Sequence, residues 1–185
     1  MFVKNDTKGI YIMNVPKALY SFEELMDGKI GEIPTDSGVY FVLAHPEFEY
    51  NYLSLSDGIK TYKGKPTSKS LEKLQHVGNI HKDSGSQILY IGSANNLQER
   101  IKQFMNWGYE LVDRPHSGGK MLWQIKNNKK FKVAYMLSRE PEQDESIMID
   151  QHVIEYHCFP FANEKRGKRE FGLLTNKEFK RILNK

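Results

Sequence analysis

Two tyrosines, an arginine and a glutamate are the residues from which this chain could build phosphodiester hydrolysis. That reaction needs a placed water, charge neutralisation on the phosphoryl oxygens and help for the leaving oxygen. Tyr40 sits in the strand-like run Gly38-Val39-Tyr40-Phe41-Val42-Leu43, and Tyr90 in Ile88-Leu89-Tyr90-Ile91. If these strands pair, both phenols can meet over one face, because alternate side chains of a strand point the same way. A free phenol has a pKa near ~10 and acts as a base only where cations stabilise its phenolate. Arg100 lies three residues after Leu97 on an expected helix, at the rim of its apolar face, and can hold a phosphate in a planar fork. Lys102 is its equal by composition. Glu145 shares a helix face with Met148, Ile149, His152 and Tyr156. A carboxylate on a partly apolar face wants a partner, and Mg²⁺ is a suitable one. Each residue also has a plainer reading: strand tyrosines pack in cores, arginines solvate helix surfaces, and a first-turn glutamate suits the helix dipole.

The segments Ser37-Gly38-Val39-Tyr40, Tyr90-Ile91-Gly92-Ser93-Ala94-Asn95-Asn96-Leu97-Gln98-Glu99-Arg100-Ile101 and Glu145 through Pro160-Phe161-Ala162-Asn163 together resemble the GIY-YIG nuclease family. Gly118-Gly119-Lys120-Met121-Leu122-Trp123-Gln124 adds to the likeness. The resemblance runs from about residue 34 to 167. It implies a metal-dependent endonuclease acting on nucleic acid, DNA being the expected target, with Mg²⁺ or Mn²⁺ as cofactor. It makes Tyr40 the residue that positions or deprotonates the attacking water, Tyr90 an orienting phenol, Arg100 the phosphate grip and Glu145 the metal ligand. Asp150 is the rival acid. Asn163 is expected to fix the backbone or a phosphate. Gly92, Ser93, Lys102 and the loop residue His116 complete the expected substrate side. Gly9-Ile10-Tyr11 spells the first motif literally but lacks the strand-like context of Tyr40. Phe104 stands where many relatives carry a histidine. An inactive nucleic-acid-binding module, or a protein-interaction domain on the same fold, is the alternative.

The elements that must position these residues follow from pattern. The expected fold is α+β: a small central antiparallel three-stranded sheet, with Phe131 to Leu137 as third strand, flanked by helices. Ser21-Phe22-Glu23-Glu24 and Thr175-Asn176-Lys177-Glu178 read as capping boxes opening short helices. Asn95-Asn96 caps a helix from Leu97 to about Trp107, and Pro141 opens one running to about His157. A short helix is expected over Lys120 to Asn127, and Trp107 and Trp123 read as core anchors. Residues 1–33 form an N-terminal extension with a short helix, 34–167 the nuclease-like domain and 168–185 a basic helical tail. The polar stretch of about 44–87 is too long for a simple hairpin loop and reads as a long insertion between the first two core strands, with some structure of its own.

Composition sets the outer bounds. Of the 185 residues, 39% are hydrophobic and 27% charged, which permits a packed core and argues against global disorder. One cysteine, Cys158, and a first stretch without a long apolar run suggest a reducing, cytoplasmic setting with no membrane span. The net charge is +4, yet from Glu164 onward eight basic residues face three acids. A basic tail favours a polyanion, and Lys168 and Arg169 are expected to contact backbone phosphates. Oligomeric state, recognition sequence and pathway leave no mark in the sequence.

Overall fold

The structure is a computed structural model that describes residues 19–45, 48–53, 61–62, 65–66, 69–109 and 118–184. An α+β fold is built on an antiparallel sheet of four strands in the order β1-β6-β2-β5. These are β1 (Tyr20–Ser21), β2 (Gly38–Leu43), β5 (Ile88–Ala94) and β6 (Lys132–Leu137), while β3 (Thr61–Tyr62) and β4 (Lys65–Pro66) form a separate small hairpin. The sheet therefore has one strand more than the three expected. The addition is two residues long, too short to carry a period, and its Ser21 also caps the helix that follows.

Central β2 is apolar throughout because it is covered on both sides. Tyr40 and Val42 enter the larger core with Leu97, Ile101 and Phe104 of α3 (Leu97–Gly108). Val39 and Phe41 face the other way, onto Met148 and Ile149 of α4 (Pro141–Tyr156). Strand β5 continues three residues past Ile91, so that Gly92 pairs with Tyr40 and Ser93 with Val39. A register shift where Val42 and Leu43 face Tyr90 and Ile88 leaves Leu89 over. Leu89 and Tyr90 then both join the larger core.

Helix ends follow local chemistry. Both capping boxes form, opening α1 (Phe22–Met26) and α5 (Asn176–Leu183). The Asn96 side chain accepts from the Glu99 amide at the start of α3. Pro141 occupies the first turn of α4, where a missing N–H costs nothing. Residues 120–124 form a 3-10 turn, shorter than the helix expected there, and Trp107 and Trp123 are buried. The stretch read as an insertion holds a full helix, α2 (Leu71–Ser84), capped by Ser70 and ended by Gly85 at φ 74°. No helix among the described residues is long and apolar enough to cross a membrane.

Two stacked histidines fasten α2 to the sheet and to α4. The His81 and His152 rings lie 6.0 Å apart, 10° from parallel. His81 Nε2–H donates to the Ile88 carbonyl, which can only accept, so Nδ1 is the acceptor for the Tyr50 hydroxyl at 2.5 Å. By the same logic His152 Nδ1–H donates to the Cys158 carbonyl and Nε2 accepts from the Ser86 hydroxyl. Burial lowers both pKa values, that of His152 to about 4. The unfolded chain then binds more protons than the folded one between an ordinary histidine value and about 4. Stability is full above that window and falls as pH drops through it, by about 3 kcal/mol for His152 alone. Urea midpoints measured down the pH scale should show this loss, and His152→Gln should flatten it.

Candidate active site

Four elements bring the four expected residues to one place. Tyr40 comes from β2, Tyr90 from the neighbouring edge strand β5, Arg100 from the second turn of α3 and Glu145 from the second turn of α4. The tyrosine ring centroids are 5.9 Å apart. Tyr90 is held from behind by Phe104, whose ring lies 6.1 Å away and nearly parallel. Phe104 is thus a wall of the core. Gly92 explains how the phenols reach the sheet's edge: a Cβ there would lie 2.8 Å from both Cζ and Oη of Tyr40 and from Cε1 of Tyr90. Only a residue without a side chain leaves that path open. Gly118 does the same for Tyr90, whose hydroxyl would sit 2.0 Å from an added Cβ.

Electrostatics at the site are strained in a readable way. The Tyr40 ring is buried, and its hydroxyl has no well-aligned hydrogen-bond partner among the described residues. Burial pushes its pKa up to about 12, against the opposing pull of the nearby Arg100 guanidinium and the Tyr90 phenol. Tyr90 is raised well above the ordinary range, again chiefly by burial. Burial also raises Glu145, while the Ser93 hydroxyl, donating to its Oε2 at 2.5 Å, and then Arg100 work the other way. A half-buried carboxylate and a buried, unsatisfied phenol flank one guanidinium.

A cleft of about 960 Å³ opens over this group. Tyr90, Ser93, Arg100, Glu145 and Asn163 line it, with Tyr40 buried beneath. Asn163 resolves in favour of the backbone: its Oδ1 accepts from the Ile91 amide and its Nδ2 donates to the Ile91 carbonyl, both at 2.9 Å. Asp150, the rival acid, is committed elsewhere. It receives two bonds from Arg166 and one from the Leu174 amide at 2.9 Å, away from solvent.

The structure does not bring every expected residue in. Lys102 is exposed and stays outside the cleft, because two residues along a helix turn a side chain roughly 200° away from Arg100. Lys168 lines the cleft but is ion-paired to Glu142, and Arg169 lines it with no ion pair among the described residues. His116 and Tyr11 lie outside the described residues. Conversely, Lys165, Arg166 and Lys180 line the cleft without having been singled out for the site. The spacing of Asn176, Phe179 and Lys180 on a capped helix could have placed Lys180 on the inward side; no local signal marks Lys165 or Arg166.

Glu145 interacts with both phenols and with Arg100, and no cluster of three or more metal-type ligands occurs among the described residues. That donor set suits a cation that keeps most of its waters and takes oxygen ligands from a substrate, as Mg²⁺ does. It does not suit zinc, which wants four protein ligands or three and a water. Comparison with protein families, with characterised proteins and with solved structures finds no match to this chain.

Proposed function

We propose that this protein is a divalent-cation-dependent endonuclease of the GIY-YIG type, hydrolysing phosphodiester bonds of nucleic acid, with DNA the first substrate to test. One observation carries the reading: Tyr40, Tyr90, Arg100 and Glu145, drawn from four elements and separated by up to 105 positions of sequence, converge at one cleft. Core packing alone gives no reason for a half-buried glutamate and arginine to join two phenols there.

Arg100 binds a non-bridging phosphate oxygen through its planar fork and offsets charge that builds on phosphorus. Tyr40, unsatisfied and buried, orients the attacking water with its hydroxyl. It accepts a proton only once further positive charge lowers its pKa from about 12. Tyr90 fixes Tyr40 and borders the phosphate. Ser93 holds the Glu145 carboxylate in place through its hydroxyl. Glu145 would hold the cation, which when bound supplies charge neutralisation at the phosphate. The water oxygen bonds to phosphorus as the bond to the leaving sugar oxygen breaks; the water's proton passes to a Tyr40 phenolate or to solvent, and the leaving oxygen takes its proton from solvent.

The test is cleavage of supercoiled plasmid and of labelled single strands with Mg²⁺, Mn²⁺ or EDTA, for wild type and Arg100→Ala. Activity that needs the cation and the arginine supports the reading. Binding without cleavage under every condition turns it into the inactive-module alternative. Gly92→Ala supplies a geometric check. Its Cβ must push both phenols aside, so cleavage should fall about a hundredfold while circular dichroism stays native.

A further inference from the structure

The cleft does not end at Arg100. A second hollow of about 300 Å³ shares Ser93, Arg100 and Glu142 with it, so the two adjoin at the candidate active site. Their charges are opposite in character. Beyond the shared residues, the larger lobe carries five cations against two acids, all but Glu145 of them from the C-terminal segment. Arg166 is consumed by Asp150 and Lys168 by Glu142. Lys165, Arg169 and Lys180 are exposed and make no ion pair among the described residues. The smaller lobe holds Asn95, Asn96, Gln103 and Glu99, one acid and no cation of its own. The start of α3 faces this lobe, but Asn96 already caps it and Glu99 offsets its dipole.

We propose that the groove grips its nucleic-acid strand on one side of the scissile phosphate only. Lys165, Arg169 and Lys180 hold up to three backbone phosphates on that side. The Asn95–Gln103 lobe offers amides and a carboxylate to the other, giving the backbone no attraction there. A strand that ends just beyond the cut on the side of the Asn95–Gln103 lobe is then as good a substrate as a long one. This inference rests on the nuclease reading for the position of the cut, though the one-sided grip is a property of binding.

Two measurements test it. In EDTA, affinity for a labelled single-stranded oligonucleotide is followed against salt. The triple variant Lys165→Gln/Arg169→Gln/Lys180→Gln should give a log–log slope shallower by about 2, three contacts at roughly 0.7 each. Asn95→Ala/Gln103→Ala should leave the slope unchanged. Equal slopes for wild type and triple variant, or an equal change from the Asn95/Gln103 variant, would overturn the proposal. Next, substrates are trimmed stepwise on either side of the mapped cut. KM should rise about tenfold on one side and less than about twofold on the other, and the triple variant should erase the difference. Symmetrical losses also overturn it. Absent cleavage with the slope result intact sinks only the nuclease reading; normal cleavage with an unchanged slope sinks only the one-sided grip.

Discussion

Glu145→Gln is expected to lower nucleic-acid cleavage by about a thousandfold and, in the same protein, to raise the melting temperature at neutral pH. The two effects have one cause. Burial places the folded-state pKa of Glu145 above its ordinary carboxylate value. As pH rises from the unfolded value through the folded one, the ionised side chain is penalised in the folded state more than in the unfolded chain, and stability is lost. Glutamine keeps the shape and has no charge to penalise. The gain in melting temperature should therefore be present at neutral pH and vanish in acid, where wild-type Glu145 is neutral too. Mg²⁺ should narrow the gap by binding the wild-type carboxylate and not the amide. A Gln variant that melts lower at neutral pH would show that Glu145 is a structural residue held by Ser93 and Arg100. A stabilised variant that still cuts would remove it from the chemistry.

Asp150→Ala should cost about 3–5 kcal/mol of stability. Asp150 is 1% exposed and its partner Arg166 is 11% exposed. The Arg166 guanidinium also donates to the Leu174 carbonyl at 2.8 Å and lies 4.3 Å over the Phe179 ring of α5. Removing the acid strands a cation in a poorly solvated place and leaves the Leu174 amide without its acceptor. The loss should appear as a lower urea midpoint. Because this pair ties the C-terminal segment to α4, protease should then cut first within residues 168–183. A neutral result would mean that the other ties of the segment, among them Phe179 and the Lys168–Glu142 pair, suffice to hold it.

Much of the scaffold could be read from the chain because its signals are local. A capping box occupies four consecutive residues, so Ser21 and Thr175 gave helix starts directly, as Asn96 did for α3. The β2 run is apolar at every position and needed no periodicity. Helix α2 was hidden because its inward positions are Leu74, Gly78 and His81, two of which do not look like core. Gly78 is there for space: a Cβ would meet the Tyr52 hydroxyl at 1.8 Å. Tyr40, Tyr90, Arg100 and Glu145 were found through the register of a motif, since nothing in composition separates Arg100 from Lys102. What the motif could not supply was long-range pairing. The Asp150–Arg166 bond, which turns a basic tail into a wall of the cleft, spans 16 positions without any pattern between them.

Asn163 has a bearing on solubility as well as on geometry. β5 is the outermost strand on its side of the sheet, and an unmasked outer strand is a template on which another polypeptide can add. The Asn163 amide occupies both backbone groups of Ile91, and Ala162 N–H takes the Leu89 carbonyl, so a few loop residues act as a surrogate strand. Cross-chain β-addition is thereby blocked along the stretch beside the phenols. That rim of the sheet is therefore shielded from aggregation through it.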